Sequence, residues 1–207
     1  RIKKINPNYI CHSFRAGGYN IGFDKTSVDA LINNGFKVDS SICPGYFSNS
    51  TLSNYDYTSV STEIAGWKSI ESFYVSQKCQ KQKHCLELPL ITVYSNVFEK
   101  LSLPRIYSTL KNRRKKSIHY ATHTTIKKPS YPANLKNTNY DVCLSSNAQI
   151  KRLDHAIKAR SFEKNMSIIL IGHPKDYSIF SPMKKILVAL KERNRFVTLE
   201  QFVREND

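Results

Sequence analysis

His173 is the residue whose type and surroundings point most directly to chemistry. It follows Gly172 at the end of Met166–Ile171, an almost unbroken apolar run. An imidazole titrates near neutrality, so a histidine at the end of a strand can give or take a proton during a reaction. A carboxylate beside it would orient the ring. Asp176, three residues on, could do that or could cap the following turn. Arg15 and Asp39 close two earlier strand-like segments. In α/β architectures such strand ends are where ligands gather. An arginine there can touch substrate or buttress a carboxylate.

Two groupings suggest metal ligation without completing a site. His119 and His123 lie four apart, a spacing that on a helix would turn both rings to one face and suit a divalent metal. The local pattern reads as strand then loop, with no acidic residue close by, so a surface pair is the simpler reading. Cys79, His84 and Cys85 form C-x4-H-C, which matches no common zinc spacing. With Cys11, Cys43 and Cys143 the cysteines number five, which suits reduced thiols in a cytoplasmic protein. His12, inside an apolar segment, reads as a core or backbone-bonding histidine.

The elements that must position these residues follow an α/β pattern. Tyr9–Arg15 suits a strand and breaks at Gly17-Gly18. Val28, Leu31 and Ile32 then share one helical face, with Asp24 or Thr26 as N-cap and Gly35 as C-terminal cap. Phe36–Asp39 reads as the next strand, completing a strand–helix–strand unit. Residues 44–83 are too long for a plain loop, so they must hold short elements or wall a site. Leu86–Tyr94 returns to strand character. Asn96 caps a helix through Leu101, and Pro104 starts another that runs by Tyr107 and Leu110 to the basic cluster Lys111–Lys116. Ser117–Ala121 and Tyr140–Leu144 read as strands, and Ala148–Phe162 as a helix. Met166–Ile171 reads as a strand buried on both faces. Pro182 opens a helix with Ile186, Leu187 and Leu190 on one side, and Leu199–Arg204 closes the chain as another. No repeat or low-complexity linker intervenes. One α/β domain over residues 1–207 is expected, with a mainly parallel sheet and flanking helices.

Charge bounds the partners. Thirty-two basic against sixteen acidic residues give +16, which favours anionic partners such as nucleic acid, acidic glycan, lipid headgroups or phosphates. No DNA- or RNA-binding signature accompanies the basic cluster, so nucleic acid is the lesser expectation. No apolar run reaches the roughly 18 residues of a membrane helix.

Several segments, in order, resemble the polysaccharide deacetylase family. They are Phe14-Arg15-Ala16-Gly17-Gly18-Tyr19, then Asp39-Ser40-Ser41-Ile42-Cys43-Pro44-Gly45, then Leu86-Glu87-Leu88-Pro89. Met166–Asp176, which contains Gly172-His173-Pro174, and Phe196–Phe202 resemble the closing motifs. The resemblance implies a distorted (β/α) barrel in which a divalent metal, often zinc, activates water against an N- or O-acetyl group of a sugar. It implies that Arg15 orients the catalytic base, that His173 is the general acid, and that Asp39 is structural or catalytic. Its partner would be an acetylated carbohydrate, anionic in view of the charge, and Tyr19, Tyr55, Tyr57 and Trp67 are the rings that could stack on sugar. The tyrosine pair could equally pack residues 44–83 onto the sheet.

The family's early Asp-Asp and His-x3-His motifs have no counterpart here. Only fourteen residues precede Arg15, and they contain no aspartate. An incomplete barrel is therefore expected, with an open sheet edge covered by a preceding segment or a partner chain. Two other readings stand beside this one: a metal-free relative that binds glycan, and a basic module that binds nucleic acid or phosphate.

Overall fold

The computed structural model describes residues 2–7, 9–50, 53–61, 66–74, 84–96, 98, 101–113, 136–160 and 167–206. A short helix, α1 (Ile2–Ile5), precedes the expected strand–helix–strand unit of β1 (Ser13–Phe14), α2 (Lys25–Asn33) and β2 (Val38–Asp39). The Asp24 carboxylate caps α2 by accepting from the Ser27 N–H at 3.1 Å. Val28 and Leu31 are buried on its inner face, each contributing about 1.5–3 kcal/mol. Gly35, at φ 80°, ends the helix in a left-handed conformation that a side chain would strain. The chain then returns parallel to β1, pairing Ser13 with Val38 and Phe14 with Asp39. His12 takes part through its backbone, its carbonyl accepting from the Lys37 and Val38 N–H groups at 2.8 and 3.1 Å.

β3 (Phe47–Ser50) and β4 (Ser53–Asp56) pair antiparallel, β5 is Trp67–Ser69 and β6 is Cys85–Glu87. The principal sheet has the order β1-β2-β6-β5. β1, β2 and β6 are parallel, whereas β5 joins β6 antiparallel, so the sheet is mixed, with two of its three pairings parallel. The reason lies in residues 44–83, which hold short elements and send one of them back along β6. Among the described residues, β1 and β5 are the open edges of this sheet.

The expected strand Leu86–Tyr94 is divided. Pro89 lacks an N–H for a ladder, and the second part is β7 (Thr92–Ser95), paired antiparallel with β8 (Lys136–Asn139). The strand expected at Tyr140–Leu144 thus lies earlier, and residues 142–144 form a turn. Met166–Ile171 also departs from expectation. Residues 167–170 are half-buried, Ile171 is buried, and the segment makes only isolated parallel bridges among the described residues, Leu90 to Ile169 and Asp141 to Ile171.

The remaining helices are α3 (Leu103–Arg113), α4 (Asn147–Arg160), α5 (Met183–Lys191) and α6 (Leu199–Asn206). Ser146 and Gln149 close a reciprocal capping box on α4, Gln149 N–H to Ser146 Oγ at 3.2 Å and Ser146 N–H to Gln149 Oε1 at 3.1 Å. Ser102 caps α3 and reaches the Leu144 carbonyl at 2.7 Å, tying that helix to the turn after β8. Ile91, Val93, Tyr140, Leu153 and Ile186 form the core under α4 and α5. Val38, Leu88 and Val203 anchor α6. No helix among the described residues is long and apolar enough to cross a membrane. Ser117–Ala121 and Arg114–Lys116 lie outside the described residues.

Candidate functional site

Gly172 decides where His173 stands. A methyl group on Gly172 would sit 2.7 Å from Cγ2 of Val142 and 3.3 Å from Sγ of Cys143. Without it, the segment before His173 lies against the turn after β8, and the Val142 N–H donates to the Ile171 carbonyl at 2.9 Å. That register brings His173 Nδ1 to 3.0 Å from Oδ2 of Asp141.

Asp141 is itself held from both ends. The Cys143 N–H donates to its Oδ1 at 2.8 Å, closing an Asx turn. Its carbonyl accepts from the Ser145 hydroxyl at 2.6 Å and from the Leu144 and Ser145 N–H groups. The Asp141 side chain is 8% exposed, whereas that of His173 is 41% exposed. A fixed, buried carboxylate therefore orients a reachable imidazole. With Asp141 accepting, Nδ1 carries a proton and Nε2 is the nitrogen left for exchange.

Asp176 takes a different part from the one its spacing suggested. Its N–H donates to the His173 carbonyl at 2.9 Å within the Pro174–Asp176 turn. Its carboxylate accepts a hydrogen bond from Ser108 on α3. The turn is thereby pinned to the helix, and Asp141 is the carboxylate that orients the ring. One ligand atom from each of Asp141, His173 and Asp176 lies within 4.8 Å of the other two, so the cluster could hold a metal ion. The donor set fits a divalent cation, since each carboxylate keeps lone pairs beyond the bonds described.

Asp39 belongs to a second group. Its oxygens accept from the Ser41 N–H at 2.9 Å and the Ser41 hydroxyl at 2.8 Å. Ser41 Oγ in turn accepts from the Ala16 N–H at 2.8 Å, linking the end of β2 to the segment after Arg15. Glu87, opposite Asp39 in the sheet register, is completely buried beside it. Burial raises both carboxyls above the usual range, Glu87 most of all. The asymmetry has a local cause. Asp39 receives two donors from Ser41, which favours its anion, while Glu87 accepts only from the Ile42 N–H, at 3.2 Å. Burial and the neighbouring Asp39 charge thus favour the protonated form of Glu87 in the folded chain. Arg15 is exposed at the end of β1.

The aromatic candidates pack. Tyr55 and Tyr57 are buried and stacked at 4.6 Å, and Trp67 is buried with Nε1 donating to the Phe73 carbonyl at 3.0 Å. The Tyr57 hydroxyl donates to the carbonyl of Tyr19, a half-buried residue at φ 63°. Tyr55, Tyr57 and Trp67 thus belong to one buried cluster with Phe73. Cys85 and Cys43 are free and buried, and burial pushes both thiols up, away from the thiolate a metal requires. His84 is half-buried, and Cys79, His119 and His123 lie outside the described residues.

Compared with known proteins, the chain matches no family model, no curated protein and no solved structure.

Proposed function

We propose that this chain carries the proton-transfer part of a carbohydrate deacetylase, a domain of the incomplete (β/α) barrel kind that hydrolyses N- or O-acetyl groups. The observation that supports the reading is the pair His173 and Asp141, a reachable imidazole bonded at 3.0 Å to a buried carboxylate. In this reaction water adds to the acetyl carbonyl and the bond to the sugar nitrogen or oxygen breaks. Nε2 of His173 takes a proton from the attacking water and passes it to the departing atom, and Asp141 stabilises the ring while it is charged between the two transfers. An excess of +16 suits an anionic acetylated glycan.

The cluster of Asp141, His173 and Asp176 favours a second use of the same side chains, as ligands of a divalent cation. Such an ion would supply a polarised carbonyl and a more acidic water. The two uses compete for the ring, because a nitrogen that ligates the ion cannot at the same time carry a proton.

Acetate release from acetylated amino-sugar oligomers, measured with metal content on the full-length protein, tests the reading. His173→Ala should lower kcat roughly 10²–10⁴-fold and leave metal content unchanged. Loss of bound metal in that variant would favour the ligand use. An unaltered kcat, or no acetate release by the parent protein, would sink the deacetylase reading.

A further inference from the structure

Helix α3 is turned inside out. Leu103, Ile106, Tyr107 and Leu110 recur at the three- and four-residue spacing of a core-facing stripe, yet they are 69, 47, 43 and 57% exposed. Among its described side chains the buried ones are Pro104 and Ser108 instead. The cause is the Ser108 bond to Asp176, which turns the polar side of α3 inward against the Pro174–Asp176 turn. The stripe continues onto the segment after that turn, where Phe180 meets Tyr107 edge-on at 5.5 Å and Ile179 is 93% exposed.

The patch is rimmed by positive charge. Lys111 on α3, Lys175 in the turn, and Lys184 and Lys185 at the start of α5 are all exposed. The sequence of α3 contains no acidic residue, and Asp176 is buried. Apolar and aromatic side chains rimmed by lysines match the boundary of a bilayer, where rings and aliphatic chains enter and ammonium groups meet lipid phosphates. A second copy of the chain is the poorer occupant, because two surfaces each belonging to a molecule of charge +16 repel.

We propose that α3 and residues 177–180 form a peripheral docking surface for an anionic phospholipid membrane. The chain lies on the bilayer with the outer face of α3 in the headgroup region. The inner face of the same helix holds Asp176 beside His173. If His173 acts on acetylated sugar, a reading this consequence rests on, the sugar it meets is one carried at the membrane surface.

Vesicle co-sedimentation of the full chain tests the docking and needs no catalytic activity, so its failure would leave the deacetylase reading standing. Vesicles containing phosphatidylglycerol should bind at least tenfold more protein than pure phosphatidylcholine vesicles, and 0.5 M salt should release most of it, as roughly one Debye length then shrinks to a few ångströms. Ile106→Glu with Leu110→Glu should cut binding about tenfold or more, and Lys184→Glu with Lys185→Glu should do so while leaving the apolar stripe intact. Both pairs are exposed, and an unchanged thermal midpoint checks that the variants fold. No preference for the anionic vesicles, or undiminished binding by either variant, overturns the proposal. So does a dimer in light scattering that the Ile106→Glu, Leu110→Glu variant dissociates, which would assign the face to a second copy.

Discussion

His173 Nδ1 stands 3.0 Å from Oδ2 of Asp141, a residue thirty-two positions earlier in the chain. If the two act as one unit, their losses should not add. Asp141→Asn keeps the size of the side chain but removes the charge that steadies the imidazolium, so acetate release should fall by about 10²-fold. The double variant with His173→Ala should be no slower than His173→Ala alone. Multiplicative losses in steady-state kinetics would show that Asp141 serves the fold and not the ring.

Gly172→Ala tests how that contact is built. The new methyl must displace Val142 or Cys143, and such overpacking costs about 1–3 kcal/mol. The displacement also shifts the residue that follows it. We expect the Nδ1 proton signal of His173, bonded to Asp141 in the parent, to weaken in the NMR spectrum of the variant. Adding Val142→Ala removes Cγ2, the nearest atom, and should bring the signal back. Failure of the second change to restore it would mean the glycine does not set the histidine's position.

Local signals of the fold were legible in the sequence, and contacts between distant segments were not. Asp24, the Val28–Leu31 face and Gly35 define α2 within a dozen residues, and the helix stands where they put it. Asp141 sits in Tyr140-Asp141-Val142-Cys143, which carries no motif, and only the register of Ile171 beside it reveals a partner for His173. Asp176 was the nearer carboxylate in sequence, but its oxygen is taken by Ser108, sixty-eight residues away. Glu87 stands in the Leu86-Glu87-Leu88-Pro89 run with no sign of burial in its residue type, yet it is completely buried. In α3 the spacing of Leu103, Ile106, Tyr107 and Leu110 marks a helix, but periodicity alone cannot say which face turns inward.

Tyr57→Phe removes one oxygen and leaves the ring in its stack with Tyr55. The carbonyl of Tyr19 then loses the donor that holds it at a left-handed backbone angle. A loss of about 0.5–1.5 kcal/mol, the net worth of one hydrogen bond, is expected. Urea unfolding reads the cost directly. A midpoint equal to the parent's would mean that the turn through Gly18 and Tyr19 stands without this hydroxyl.

The Asp39 and Glu87 pair makes a prediction about pH whose sign follows from proton counting. Both carboxyls are raised in the folded chain, by burial first; in Glu87 the neighbouring Asp39 charge adds to it, while hydrogen bonds from Glu87 and Ser41 partly offset it in Asp39. Above the usual carboxylate range, the unfolded chain has released the Glu87 proton and the folded chain still holds it. The folded state binds more protons there, so this pair's contribution to stability falls as pH rises toward the raised value. The groups facing the pair include the Ser41 hydroxyl, the Ile42 N–H, the Cys85 thiol and the Tyr57 hydroxyl, and burial raises both the thiol and the phenol, so neither adds a charge in that window. Glu87→Gln substitutes an amide that can donate to Asp39 at every pH while its oxygen still accepts from Ile42. Its advantage over the parent in urea unfolding should therefore grow from pH 5 to pH 8. Glu87→Ala, which leaves the Asp39 carboxylate buried without that donor, should cost about 3 kcal/mol or more. A Glu87→Gln advantage that stays constant with pH would show that the pair does not hold the proton assigned to it.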